Sequence, residues 1–137
     1  MTIGKREFER IKRAHSDGIP VRMHATADGT TRNLLDLIEE MRGDDPKPQL
    51  RHHIGHLMVV AKEDIPRFKK LNVIAEFSPV LWHPTGLGGL AGAAVGEERY
   101  KRWMPIKEFV DAGATVVFGS DWPPVHPMPI PGADWKR

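Results

Sequence analysis

The stretch Thr115-Val116-Val117-Phe118-Gly119-Ser120-Asp121-Trp122-Pro123 decides how the rest of the chain reads. Its first four residues are uncharged, β-branched or aromatic, and bounded by Gly113 and Gly119, the signature of a buried strand. Asp121 then falls just past a strand's C-terminal end, where α/β proteins collect their ligand-binding and catalytic groups. Taken alone, Asp121 reads equally well as a turn aspartate leading into Trp122-Pro123-Pro124. Two earlier segments repeat the arrangement with histidine: Val21–Ala25 carries His24, and Leu50–Leu57 carries His56.

Outward from that stretch, strands alternate with helical patterns. Glu7–Ser16 has Phe8, Ile11 and Ala14 on one side and is stopped by Asp17-Gly18. The next helix places Leu34, Leu35, Leu37, Ile38 and Met41 on one face, with Asp28 or Thr30 as N-cap and Gly43 as its end. Lys62–Leu71 is a third helix, with Ile65, Phe68 and Leu71 inward and Asn72 closing it, and Val73–Phe77 is a strand. Val80–Gly96 is Gly-rich and reads as a long loop, a type that often covers a site. Glu97–Ala112 is helical with an interruption at Pro105, and Tyr100, Trp103, Ile106, Phe109 and Val110 form its expected buried face. Helix, three strand–helix units and a last strand predict parallel strands with crossover helices. His24 and His56 are 32 residues apart and His56 and Asp121 are 65 apart, close to twice that. The fold class expected is α/β: a partial TIM barrel of about four βα units, in one domain over residues 1–137.

Composition excludes several classes. The net charge is only +2, and the basic residues are interspersed with acids on amphipathic segments, so no nucleic-acid partner is expected. No apolar run approaches the roughly 18 residues of a membrane helix, and the first residues lack the apolar core of a secretory signal. With no cysteine there is no thiolate metal site, and a cytoplasmic location is expected.

What remains is imidazole and carboxylate, the ligand types of catalytic zinc sites that keep one position open for water. His24, His56 and Asp121 are the candidate metal ligands, provided their strand ends converge. His53 (or its neighbour His52), Trp82 and Trp122 are weaker candidates for contact with a substrate, and core or loop packing accounts for them equally well. Asp28 could orient His24, although helix capping accounts for it too.

These segments resemble a known family. His24-Ala25-x-x-Asp28 with Leu35-Asp36-x-Ile38-Glu39 is similar to the fifth-strand region of the amidohydrolase superfamily. The match is to its family 3 branch of YtcJ-like and N-substituted formamide deformylase-like enzymes. Arg51-His52-x-Ile54-x-His56 with Asp64-x-x-Arg67-Phe68 resembles the sixth strand and helix, and Phe77-Ser78-Pro79, Gly96-x-Glu98-Arg99 and Gly119-Ser120-Asp121-Trp122-Pro123 resemble later blocks. The resemblance implies that His24 and His56 bind metal and that Asp121 is both ligand and proton shuttle. It implies a divalent ion, zinc first with iron or manganese as alternatives, and hydrolysis of a non-peptide C–N bond in a small amide or N-formyl substrate.

Three departures qualify that expectation. The first-strand His-x-His pair of the family is absent, as is the bridging carboxylate or carboxylated lysine of its middle strands, and Gly55 stands where the branch usually has glutamate. The chain thus corresponds to the second half of a barrel and is expected to be a fragment of a longer enzyme with little turnover by itself. The competing expectation is a non-catalytic half-barrel module. Its two open edges and apolar inner face would drive self-association or pairing with a partner chain.

Overall fold

The computed structural model describes residues 4–79 and 86–121. Helix α1 (Lys5–Ser16) leads into strand β1 (Arg22–Ala25), helix α2 (Asp28–Asp44) and strand β2 (His53–His56). A 3-10 turn (Lys62–Asp64) and helix α3 (Ile65–Lys70) follow, then strand β3 (Ile74–Phe77), helices α4 (Gly86–Val95), α5 (Glu97–Tyr100) and α6 (Ile106–Asp111), and strand β4 (Thr115–Phe118). All three neighbouring pairs are parallel, and the strands lie in chain order, β1-β2-β3-β4. This is the expected partial barrel. Among the described residues no helix is long and apolar enough to cross a membrane.

Register fixes what each face carries. Met23, Ile54, Ala75 and Val116 share one row and face the helices; Met23, Ile54 and Ala75 are buried there. The helices supply Leu34, Leu35, Leu37, Ile38 and Met41 from α2, Phe68 from α3 and Phe109 from α6. Phe109 meets Phe68 and Phe77 edge-on, at centroid distances of 4.8 and 5.2 Å. Each buried ring of this kind contributes about 1.5–3 kcal/mol by leaving water, so the helix side of the sheet holds the fold together. Side chains alternate along a strand, so the opposite face carries the rows Arg22, His53, Ile74, Thr115 and His24, Gly55, Glu76, Val117. That face was expected to be apolar. It is instead largely polar, with four of its eight positions charged or imidazole.

Several boundaries differ from the sequence expectation for identifiable reasons. Neither Asp28 nor Thr30 caps α2: Ala27 is the N-cap, and Asp28 uses its Oδ1 to accept from Gly29 N at 2.9 Å. Gly43 does not end α2, because one helical glycine costs only about 1 kcal/mol. The helix stops at Asp44, since Pro46 bars helical backbone at Asp45, which is extended at φ −142°. The Gly-rich loop is corrected over Gly86–Val95, which is helix α4. Leu and Ala offset its glycines, and a Cβ at Gly92 would lie 3.3 Å from the Tyr100 ring, so the glycine serves close packing. The expected helix over 97–112 is two helices, since Pro105 disfavours helical backbone before it and Met104 turns left-handed at φ +50°. As a result Tyr100 and Val110 are 37% and 57% exposed rather than buried.

Candidate active site

The C-terminal ends of β1, β2 and β4 bring the candidate ligands together. His24 lies on the polar face of β1 and is exposed. By alternation His56 belongs to the helix-facing row, but it ends β2 at φ +75°, and Leu57 follows at φ +45°. That left-handed turn leaves the His56 ring 4.2 Å from the His24 ring, tilted by 47°. Asp121, three residues past β4, is also left-handed at φ +56°, with its Oδ1 3.6 Å from His56 Nε2. A left-handed non-glycine residue costs on the order of 1–3 kcal/mol and persists only where its surroundings impose it. Two of the five such residues among those described are the candidate ligands His56 and Asp121.

The electrostatics suit a cation. His56 is 4% exposed, and burial, reinforced by the neighbouring His24, pushes its pKa below the usual imidazole value while Asp121 opposes the shift. The ring is thus held neutral, the form in which a nitrogen can bind metal. Among the described residues its buried Nδ1 has no hydrogen-bond partner, and Nε2 is the nitrogen that faces Asp121. The 3.6 Å gap to Asp121 is too long for a hydrogen bond, yet within the span of two donors each about 2 Å from one ion. The donor chemistry fits a divalent ion, although no three His, Asp or Glu side chains among the described residues are closely enough grouped to enclose one. A cavity of about 500 Å³ opens beside the loops that follow β1 and β2, lined by Asp28, Arg32, Val60, Lys62, Arg99 and Arg102.

A pair the sequence reading missed joins the two rows of this face. Arg22 donates from Nε and Nη2 to the two Glu76 oxygens at 2.6 and 2.7 Å, crossing β2 at Gly55. The hydrogen bond from Arg22 holds the Glu76 carboxyl below its usual pKa range, and Glu76 raises that of Arg22. The available signal was an acid inside the otherwise apolar run Val73-Ile74-Ala75-Glu76-Phe77. His53, a substrate candidate, sits in the lower row with its Nδ1 3.8 Å from Glu76 and is about one-third exposed. That position is beneath the site rather than at its mouth. Trp82 and Trp122 lie outside the described residues, as does His83. His52 points the other way, into the core, bonded to His15. Asp28 is an ion-pair partner of Arg99 at 3.2 Å.

Residues 7–135 match the sequence pattern of the amidohydrolase family. The chain belongs to that family. Two solved structures of similar fold are described as uncharacterised metal-dependent hydrolases. The Pyrococcus furiosus protein is 26% identical with a TM-score of 0.67, the match covering 90% of this chain and 24% of that one. The Pyrococcus horikoshii OT3 protein is 25% identical with a TM-score of 0.63, covering 85% and 23% respectively. This amidohydrolase chain therefore spans about a quarter of the length of each. Among curated proteins none matches it.

Proposed function

We propose that this chain supplies one side of the active site of a metal-dependent hydrolase that cleaves non-peptide C–N bonds of amide or N-formyl type. The observation that carries the reading is the approach of His24, His56 and Asp121 at three strand ends, with His56 Nε2 facing Asp121 Oδ1 across 3.6 Å. His24, His56 and Asp121 would hold a divalent ion, zinc first by its preference for imidazole and carboxylate. A bound ion supplies Lewis acidity and brings the pKa of a water it holds toward neutrality.

The chain's own residues do the rest. His56, kept neutral by burial, keeps a nitrogen lone pair available at neutral pH. Asp121 takes a proton from the attacking water on its carboxylate and delivers it to the leaving nitrogen. The water oxygen bonds to the carbonyl carbon, the C–N bond breaks, and a carboxylic acid and an amine result.

Metal content per chain, for wild type and Asp121→Asn purified without chelator, tests the reading. Near-stoichiometric zinc, iron or manganese in wild type and an affinity at least about tenfold weaker in the variant is the expected result. Metal-free wild type that takes up none on titration overturns it.

A second reading has its own support. The outer edges of β1 and β4 have no strand partner among the described residues, and Phe118 on β4 is 61% exposed. Unpaired edges template further pairing, so the half barrel would act as a module that joins a second copy or a partner chain. Light scattering on the purified chain separates the two: a discrete dimer that holds no metal favours the module.

A further inference from the structure

Beside the candidate ligands, the Arg22–Glu76 pair occupies space that two glycines leave open. A Cβ at Gly55 would lie 3.3 Å from Arg22 Nη2, and one at Gly119 would lie 2.6 Å from Glu76 Oε1. Gly55 immediately precedes His56, and Gly119 stands two residues before Asp121. The backbone on either side of the pair is thus continuous with the site. Arg22 itself is two residues before His24, on the same face of β1.

This geometry sets up a competition. The Arg22 guanidinium has two carboxylates on its side of the site: Glu76, which it bonds, and Asp121, two residues beyond the Gly119 against which Glu76 packs. Glu76 engages it through two parallel bonds of 2.6 and 2.7 Å, the strong bidentate geometry of arginine and carboxylate. Arg22 is half exposed, at 51% for its side chain against 11% for Glu76, so the guanidinium has open space to turn into and the carboxylate does not.

Resting on the metal-site reading above, we infer that Glu76 is a positioning residue that sequesters Arg22 and so keeps the Asp121 carboxylate free for a cation. Without Glu76 the guanidinium turns to Asp121, pairs with it, and puts a positive charge where the ion belongs. The competing explanation is a plain brace, in which the pair merely ties β1 to β3 across β2.

Zinc titration calorimetry on the full chain distinguishes them, with thermal melting run in parallel. Glu76→Gln is expected to bind zinc at least about tenfold more weakly than wild type, and the double variant Arg22→Gln/Glu76→Gln to return to within about threefold. Arg22→Gln alone is expected to bind at least as tightly as wild type, and it decides the matter should Glu76→Gln fail to fold. A brace predicts the reverse, with the double variant as weak as either single one. A double variant no better than Glu76→Gln, a Glu76→Gln equal to wild type, or a weakened Arg22→Gln overturns the inference while leaving the metal site standing. Wild type that takes up no zinc overturns the site and the inference together.

Discussion

Two histidine pairs occupy opposite ends of this half barrel, and they are built on opposite principles. At the lower end His15 Nδ1 and His52 Nε2 are 3.0 Å apart, both rings fully buried. The backbone N–H of Val21 donates to His52 Nδ1 at 3.2 Å, and His15 Nε2 meets the Asp45 carbonyl at 2.8 Å. An N–H can only donate and a carbonyl only accept, so both tautomers follow: His52 Nε2–H donates to His15 Nδ1, and His15 Nε2–H to Asp45. Every ring nitrogen is used once. At the upper end the His24 and His56 rings lie 4.2 Å apart, tilted by 47°, and among the described residues the buried Nδ1 of His56 has no partner. A satisfied histidine pair is a structural joint; the upper pair instead leaves His56 Nε2 3.6 Å from Asp121, too far to hydrogen-bond and at the spacing two ligands of one ion would have.

The largest test of that contrast is a pair of truncations. His52→Ala leaves His15 Nδ1 and the Val21 N–H unpaired and opens a hole in the core, an expected loss of about 3 kcal/mol in urea unfolding. His56→Ala strands no hydrogen-bond partner among the described residues and costs only the space the ring vacates, an expected loss of about 1–2 kcal/mol, with zinc uptake lost as well. Equal stability losses in the two variants would break the distinction.

Acid provides the next effect. Burial, with His15 and Arg42 beside it, lowers the His52 pKa to about 4. The unfolded ring titrates near the ordinary value of about 6.5, so between those limits the unfolded chain binds the extra proton. Stability from this group is therefore complete above about pH 6.5 and declines toward pH 4, by about 3 kcal/mol at most. A proton added to His52 Nδ1 would face the Val21 N–H, which is why the joint gives way. His56 is shifted in the same direction, so the pH dependence in His56→Ala should be shallower yet still present. A flat profile between pH 6.5 and 4 in that variant would mean that the lower pair contributes nothing.

How these pairs relate to the sequence is uneven. The alternation of strands and helices and the positions of His24, His56 and Asp121 were legible, because period and strand-end placement are local properties. The lower pair was not: His15 closes a surface helix and His52 stands beside His53, and neither spacing signals a contact across 37 residues. Nor was the polar inner face. Arg22 and Glu76 are 54 residues apart and meet only because the parallel register sets Gly55 between them. The α4 helix was hidden by its glycines, of which Gly92 permits the close approach of Tyr100, a tertiary matter.

His53 offers the smallest and most delicate test, because it stands between the two pairs in space and in kind. Its Nδ1 is 3.8 Å from Glu76, beyond hydrogen-bond distance, and its side chain is about one-third exposed. Neither burial nor a committed partner restrains it, so His53→Gln should change unfolding free energy by less than about 0.5 kcal/mol. Glu76 is already held by both bonds from Arg22, so zinc affinity should also stay within about threefold. A larger loss of zinc binding at unchanged stability would mean that His53 helps to hold Glu76 in place. The positioning layer would then extend along the lower row, to a histidine that the sequence suggested for substrate contact and that would act from beneath the site.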